Sequence, residues 1–289
     1  MYNNATEKSM NNEDFTTVIL PKTGWLDVNI KEVWQYRDLI TLFVRRNFVS
    51  QYKQTILGPA WAIIQPLLTT VVFTVVFGSL AGLAAEGVPS FLFFLSGNVA
   101  WQYFSNCLTS TANTFTGNAG ILGKVYFPRL VMPISTVMTN LIAFAIQMAM
   151  FLIFLVWYWI RGAVHPNAYV LLMPVLIVHM AMLSLGTGVI ISALTTKYRD
   201  LKMLVGFGVQ LWMYATPVAY DVAIIPERLM GLYMLNPMTP IINAFRYAFL
   251  GIGSFETGYY LLSWAVTLVI LFLGVVLFSR VEKTFMDTV

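Results

Sequence analysis

Six stretches of this chain are long, apolar and free of charge, and they leave few folds open. They run over residues 59–80, 91–112, 131–160, 169–194, 203–220 and 259–280. A helix needs about 20 apolar residues to cross a hydrocarbon core about 30 Å thick. The fifth stretch is the shortest; Pro217 interrupts its end, and Pro226 the segment after it. No charged residue enters any of the six before Arg280, and His179 is the only imidazole inside them. Charged residues make up 10% of the chain, against about 25% in a soluble domain, so most of the surface is not built for water. The pattern predicts an all-α integral membrane protein with six transmembrane helices. It divides the chain into an N-terminal cytoplasmic tail (1–30), an amphipathic helix (31–57) and a transmembrane domain (58–289).

The basic residues orient it. Lysine and arginine collect on the cytoplasmic side of membrane proteins. Lys8, Lys22, Lys31, Arg37, Arg45, Arg46 and Lys53 precede the first stretch. Lys124 and Arg129 come after the second, Lys197, Arg199 and Lys202 after the fourth, and Arg280 and Lys283 close the last. Only Arg161, Arg228 and Arg246 fall on the other side. Both termini are therefore expected in the cytoplasm. The first 30 residues hold no apolar run of signal-peptide length, so the first span is expected to act as the insertion signal.

Between Lys31 and Lys53, Val33, Tyr36, Leu39, Ile40, Phe43 and Val44 share one helical face, and Lys31, Asp38, Arg45, Arg46 and Lys53 share the other. Trp34 and Leu42 break the pattern. An interfacial helix on the cytoplasmic leaflet fits, with Arg37, Arg45, Arg46 and Lys53 near anionic head groups; a cytosolic helix packed on a partner is the alternative. Residues 221–257 contain Pro226, Pro237 and Pro240 between apolar stretches too short to span. They predict a pair of short re-entrant helices, tolerated at that depth only when buried in protein or facing a watery cavity, or else a folded external cap.

Much chemistry is excluded. Residues 117–124 read GNAGILGK, which lacks the spacing of a phosphate-binding P-loop, and Val125 stands where a magnesium-binding hydroxyl is required. A single Cys107 and two distant histidines give no disulfide framework and no metal cluster. Proton-driven carriers usually bury acids or histidines in their spans; here only His179 is available, and it is read as a packing residue. Energy for transport is expected to come from another subunit.

Four segments then resemble one family. RRNFVSQYKQTILGPAWAIIQPL (45–67), NAGILGKVYFPRLVMP (118–133), Tyr198-Arg199-Asp200-Leu201 and NPMTPIINAFRYAFLG (236–251) look like ABC-2 type permeases of the polysaccharide-export branch, closest to O-antigen exporters. The resemblance implies a homodimer with two cytoplasmic ABC ATPase subunits, which hold the ATP and magnesium; this chain carries no cofactor, metal or catalytic residue. It implies a lipid-linked glycan as substrate and contact with membrane lipids but not nucleic acid, in a bacterial inner membrane. Capsule, teichoic acid, drug or lipid substrates fit the same fold, and a membrane-embedded glycosyltransferase is a separate alternative. The resemblance assigns coupling to the ATPase to Lys124, Tyr126, Phe127, Pro128 and Arg129, with Phe127 and Tyr126 filling a groove on that subunit. It assigns the glycan path to Trp61, Gln65, Phe73 and Phe77 in span one and Gln210, Trp212, Tyr214 and Tyr220 in span five, aromatic faces on which sugars stack. Ser184, Gly188 and Ser192 are read as a packing face of span four.

Overall fold

The computed structural model describes residues 30–288 except Gln54, Gly123, Tyr126, Tyr198 and Arg199, and among the described residues there is no strand. Two short helices lead in, α1 (Ile30–Gln35) and α2 (Arg37–Tyr52). Then come α3 (Trp61–Phe73), α4 (Ser90–Ala112), α5 (Thr114–Leu122), α6 (Val131–Ile160), α7 (Met173–Lys197) and α8 (Leu201–Tyr214). A short pair comes next, α9 (Glu227–Tyr233) and α10 (Met238–Leu250), and the chain ends on α11 (Thr257–Thr288).

Among the described residues, four segments are long and apolar enough to cross a membrane: Gly58–Leu80, Val131–Ile160, Ala168–Thr195 and Thr257–Phe278. The first is α3 extended by a π-helical run, Thr74–Leu80. The other two predicted stretches differ in character. α4 spans 23 residues but is the central post of the bundle: from Leu92 to Ala100 every residue is buried. Because protein surrounds it, it can carry polar groups. Asn98 donates to the Pro66 carbonyl (3.0 Å) and to Thr70 Oγ1 (3.2 Å), tying α3 to α4. α8 has 14 residues, about 21 Å at 1.5 Å per residue, which is short of a straight crossing. It stops at Tyr214, and turns carry the chain through Pro217 to Tyr220. The expected helix over 203–220 thus ends six residues early, since proline cannot continue the ladder.

α7 and α11 pack through glycines. A Cβ on Gly186 would lie 2.8 Å from the Leu271 Cα, and one on Gly274 would lie 2.7 Å from the Gly186 carbonyl oxygen. Gly188 meets Thr111 of α4 in the same way, at 2.6 Å, so the stripe read as a packing face is one. His179 is buried between α7 and α11. Its Nε2 bonds Thr267 Oγ1 at 2.9 Å, its ring stacks on Trp264 at 4.1 Å, and Ser263 passes its own proton to the Pro237 carbonyl. The histidine is a packing residue, as its sequence context suggests.

Candidate translocation and coupling surfaces

α3 and α8 both lean on α4 and leave their far sides open. No residue of α8 is buried. Trp61 and Gln65 are exposed at the start of α3, and Gln210 and Tyr214 on α8. The remaining predicted path residues point elsewhere. Phe73 is 8% exposed and packs edge-on against Phe77 and Phe94 in the main core. Trp212 is turned towards α4, with ring centroids 5.1 Å from Phe104 and 6.5 Å from Trp101. Its indole Nε1 donates to Asn236 Oδ1 at 2.9 Å. Tyr220 is half-buried; its hydroxyl donates to the Tyr214 carbonyl and shares a hydrogen bond with the Tyr233 hydroxyl.

Two residues organise this region that sequence reasoning did not assign to it. Asn236 donates to the Ala215 carbonyl and to Thr216 Oγ1 while accepting from Trp212, so it clamps the end of α8 to the start of α10. Arg246 is 3% exposed. It donates to the Val218 carbonyl (2.9 Å) and the Tyr220 carbonyl (3.3 Å), and its guanidinium lies 3.7 Å over the Phe93 ring. Arginine keeps its charge inside proteins, so carbonyl oxygens and a ring face are the partners it requires there. Gly97 makes room for it, since a Cβ there would lie 2.7 Å from Nη2. The signals were present in the sequence: an Asn-Pro pair ahead of a helix and one arginine inside an apolar stretch.

On the opposite side, the segment between α4 and α6 is held from within. Phe127 is 4% exposed and belongs to a small second core with Phe43, Val33, Phe115, Val131 and Met132. Its ring sits 5.7 Å from that of Phe43 of α2. It therefore does not project to fill a partner's groove, as the sequence led us to expect; an aromatic ring in a polar loop was instead used to fasten that loop to α2. Pro128 is buried beside it and Arg129 is partly buried, whereas Lys124 and Val125 are exposed. Tyr126 lies outside the described residues, as do Tyr198 and Arg199. α2 also departs from expectation. Its apolar face, including Phe43, Leu39 and Ile40, packs on this second core. The residues that broke the pattern, Trp34 and Leu42, face outward with Val49. Arg37, Arg45 and Lys53 are exposed, and Arg46 is half-buried.

Comparison with known proteins decides the family. The ABC-2 type transporter model matches residues 38–250, from α2 through α10. The chain belongs to the ABC-2 type transporter family. It is similar to the O-antigen export system permease protein RfbA of Klebsiella pneumoniae, 26% identical over 251 residues, covering 86% of this chain and 94% of that one. The RfbA of Myxococcus xanthus is 29% identical over 225 residues, 76% of this chain and 83% of that one. The polysialic acid transport protein KpsM of Escherichia coli is 21% identical over 245 residues, 84% and 93% of the two chains. The matched span of this ABC-2 protein contains both the open α3 and α8 faces and the Asn236–Arg246 cluster.

Proposed function

We propose that this chain is the membrane subunit of an ATP-driven exporter that carries a lipid-linked, O-antigen-like polysaccharide out across the inner membrane. The observation that carries this reading is that, among the relatives, the RfbA proteins are O-antigen export system permeases and KpsM is a polysialic acid transport protein, each matched over 83% or more of its own length. Two copies would face each other across the open sides of α3 and α8, giving a closed two-fold assembly around one path. Two cytoplasmic ABC ATPases would dock beneath, reached by Lys124 and Val125 and braced by Phe127, Pro128 and Arg129. In this reading six segments cross the membrane, with α4 and the short α8 among them, and both termini stay inside. α9 and α10 are the re-entrant pair, and α10 is buried in protein along most of its length, as irregular structure at membrane depth requires. α1 and α2 lie along the cytoplasmic leaflet, with Trp34 of α1 and Leu42 and Val49 of α2 toward lipid and Arg37, Arg45 and Lys53 at head-group level.

A moving glycan needs faces on which sugars stack without being held at one place. Trp61 and Tyr214 are the aromatic residues best disposed for that, with Gln65 and Gln210 offering donors and acceptors. Trp212 supports α8 from behind. Alanine at Tyr214 is expected to lower surface polysaccharide per molecule of permease, with protein level and ATPase binding unchanged. Alanine at Trp212 is expected to lower the protein level itself. Surface glycan normalised to permease abundance that equals wild type for Tyr214→Ala and Trp61→Ala together would refute the path.

A further inference from the structure

A pocket of about 250 Å³ opens between α2, the adjoining ends of α4 and α6, and α5. Every residue in its wall is polar and none is charged, in a chain that is 58% hydrophobic. Asn113 and Asn140 each donate from Nδ2 to the carbonyl four residues back, at 2.8 and 3.0 Å. A carbonyl cannot donate, so these bonds fix which amide atom is which, and leave each Oδ1 as an acceptor beside the one N–H that Nδ2 has not used. The hydroxyls of Thr114, Thr136 and Thr139 likewise give their protons to the carbonyls four residues back and keep lone pairs. Thr114 is 3% and Thr139 6% exposed, so the acceptors reach into the interior. Beside the pocket, Arg46 donates to Asn47 Oδ1 and to Asn118 Oδ1 on α5. A cation thus stands next to a neutral, acceptor-rich cavity.

The complement of such a site is an anion that carries hydrogen-bond donors. We propose that this pocket binds the head group of a phosphate-bearing lipid, with the phosphate at Arg46 and an ammonium or hydroxyl group among the acceptors of Asn113, Thr139 and Asn140. The proposal rests on the reading of α2 as lying along the cytoplasmic leaflet. Two lipids share this chemistry: an ordinary phospholipid of the leaflet, and the phosphate-linked first sugar of the exported glycan. Either would hold α2 and α5 together where the ATPase docks.

The test uses the full chain, delipidated and exposed to an equal mixture of phosphatidylethanolamine, phosphatidylglycerol and phosphatidylcholine with identical acyl chains. Retained lipid is counted by native mass spectrometry. Phosphatidylcholine has the same phosphate but no N–H or O–H donor, so the first two are expected to be retained over it. Asn140→Leu and Thr139→Val each remove an acceptor and are expected to reduce that preference about threefold to tenfold, the factor that one lost hydrogen bond gives. Thr139→Ser keeps the acceptor and should keep the preference. Arg46→Gln should lower retention of all three alike. A polyprenyl phosphohexose that displaces phosphatidylethanolamine, where the bare polyprenyl phosphate does not, assigns the pocket to the substrate; displacement by neither assigns it to the bulk leaflet. Equal retention of phosphatidylcholine, or a preference unchanged in both Asn140→Leu and Thr139→Val, overturns the site and leaves the placement of α2 standing. No specific retention of any lipid, with Arg46→Gln without effect, overturns both.

Discussion

Replacing Gly186 or Gly274 by alanine tests how the two longest-packed helices, α7 and α11, are joined. A Cβ on Gly186 would meet the Leu271 Cα at 2.8 Å and its nitrogen at 2.9 Å, where ordinary contact begins at 3.4 Å. Both obstacles are backbone, so no side chain can swing aside and α11 must retreat by about half an ångström or more. A gap of that size forfeits a quarter to a half of the attraction of each contact it opens. Overpacking of this kind costs about 1–3 kcal/mol. In water the better helix propensity of alanine, about 1 kcal/mol, would offset part of it. In a membrane the separated helices remain helical, so that gain is present in both states and cancels. Each single variant is therefore expected to lose about 1–3 kcal/mol. Gly274→Ala places its Cβ 2.7 Å from the Gly186 carbonyl oxygen at the same crossing. One separation of the helices relieves both clashes, so the double variant should cost less than the sum, with a coupling of about 1 kcal/mol. Gly258, near the start of α11, has nothing within 4 Å of its would-be Cβ, and Gly258→Ala is the control. Reversible unfolding in mixed detergent micelles measures all four. Single variants within about 0.5 kcal/mol of wild type, a scatter usual for surface substitutions, or strict additivity in the double, would refute the close-packed crossing.

Two further substitutions probe the sites at either end. Arg246→Leu leaves the Val218 and Tyr220 carbonyls without their donor and is expected to cost about 1–3 kcal/mol for each left buried; thermal unfolding of the purified chain checks this, and an unchanged midpoint would show that Arg246 does not hold the segment after α8. Phe127→Ala empties the contact with Phe43 and is expected to cost about 3–5 kcal/mol and to speed hydrogen exchange in α2. Lys124→Glu should leave exchange untouched and weaken ATPase co-purification; the reverse pattern would return Phe127 to the partner interface.

The long elements were legible in the sequence because apolar runs are local and repeat with the helix. The starts and ends of α4, α6 and α7, and the starts of α3 and α11, fall near the boundaries that hydropathy and the Gly-Pro and Pro breaks give. Where two kinds of burial compete, the pattern was ambiguous. Phe127 in a basic loop could be covered by a partner or by its own chain, and only the position of Phe43, 84 residues earlier in number, decides it. The apolar face of α1 and α2 is read correctly as a face, but it is covered by Val131 and Met132, so Trp34 of α1 and Leu42 of α2, which looked like exceptions, are the outward side. Asn236 and Arg246 act on carbonyls 21 to 28 residues away, contacts that leave no periodic trace. The acceptor-lined pocket is of the same kind: its wall draws on α2, α4, α5 and α6, and none of these segments marks it alone.

Transport itself is the most direct test of the proposed function. The chain is co-expressed with its ABC ATPase, purified, and reconstituted in vesicles whose outer leaflet holds a lipid-linked glycan labelled on its sugar. A complex of two permease and two ATPase copies is expected. ATP should move the label into the lumen, where an added glycosidase cannot reach it, and a hydrolysis-deficient ATPase should not. A label that stays fully digestible in the presence of ATP, from a complex that assembles and hydrolyses it, would contradict the central claim.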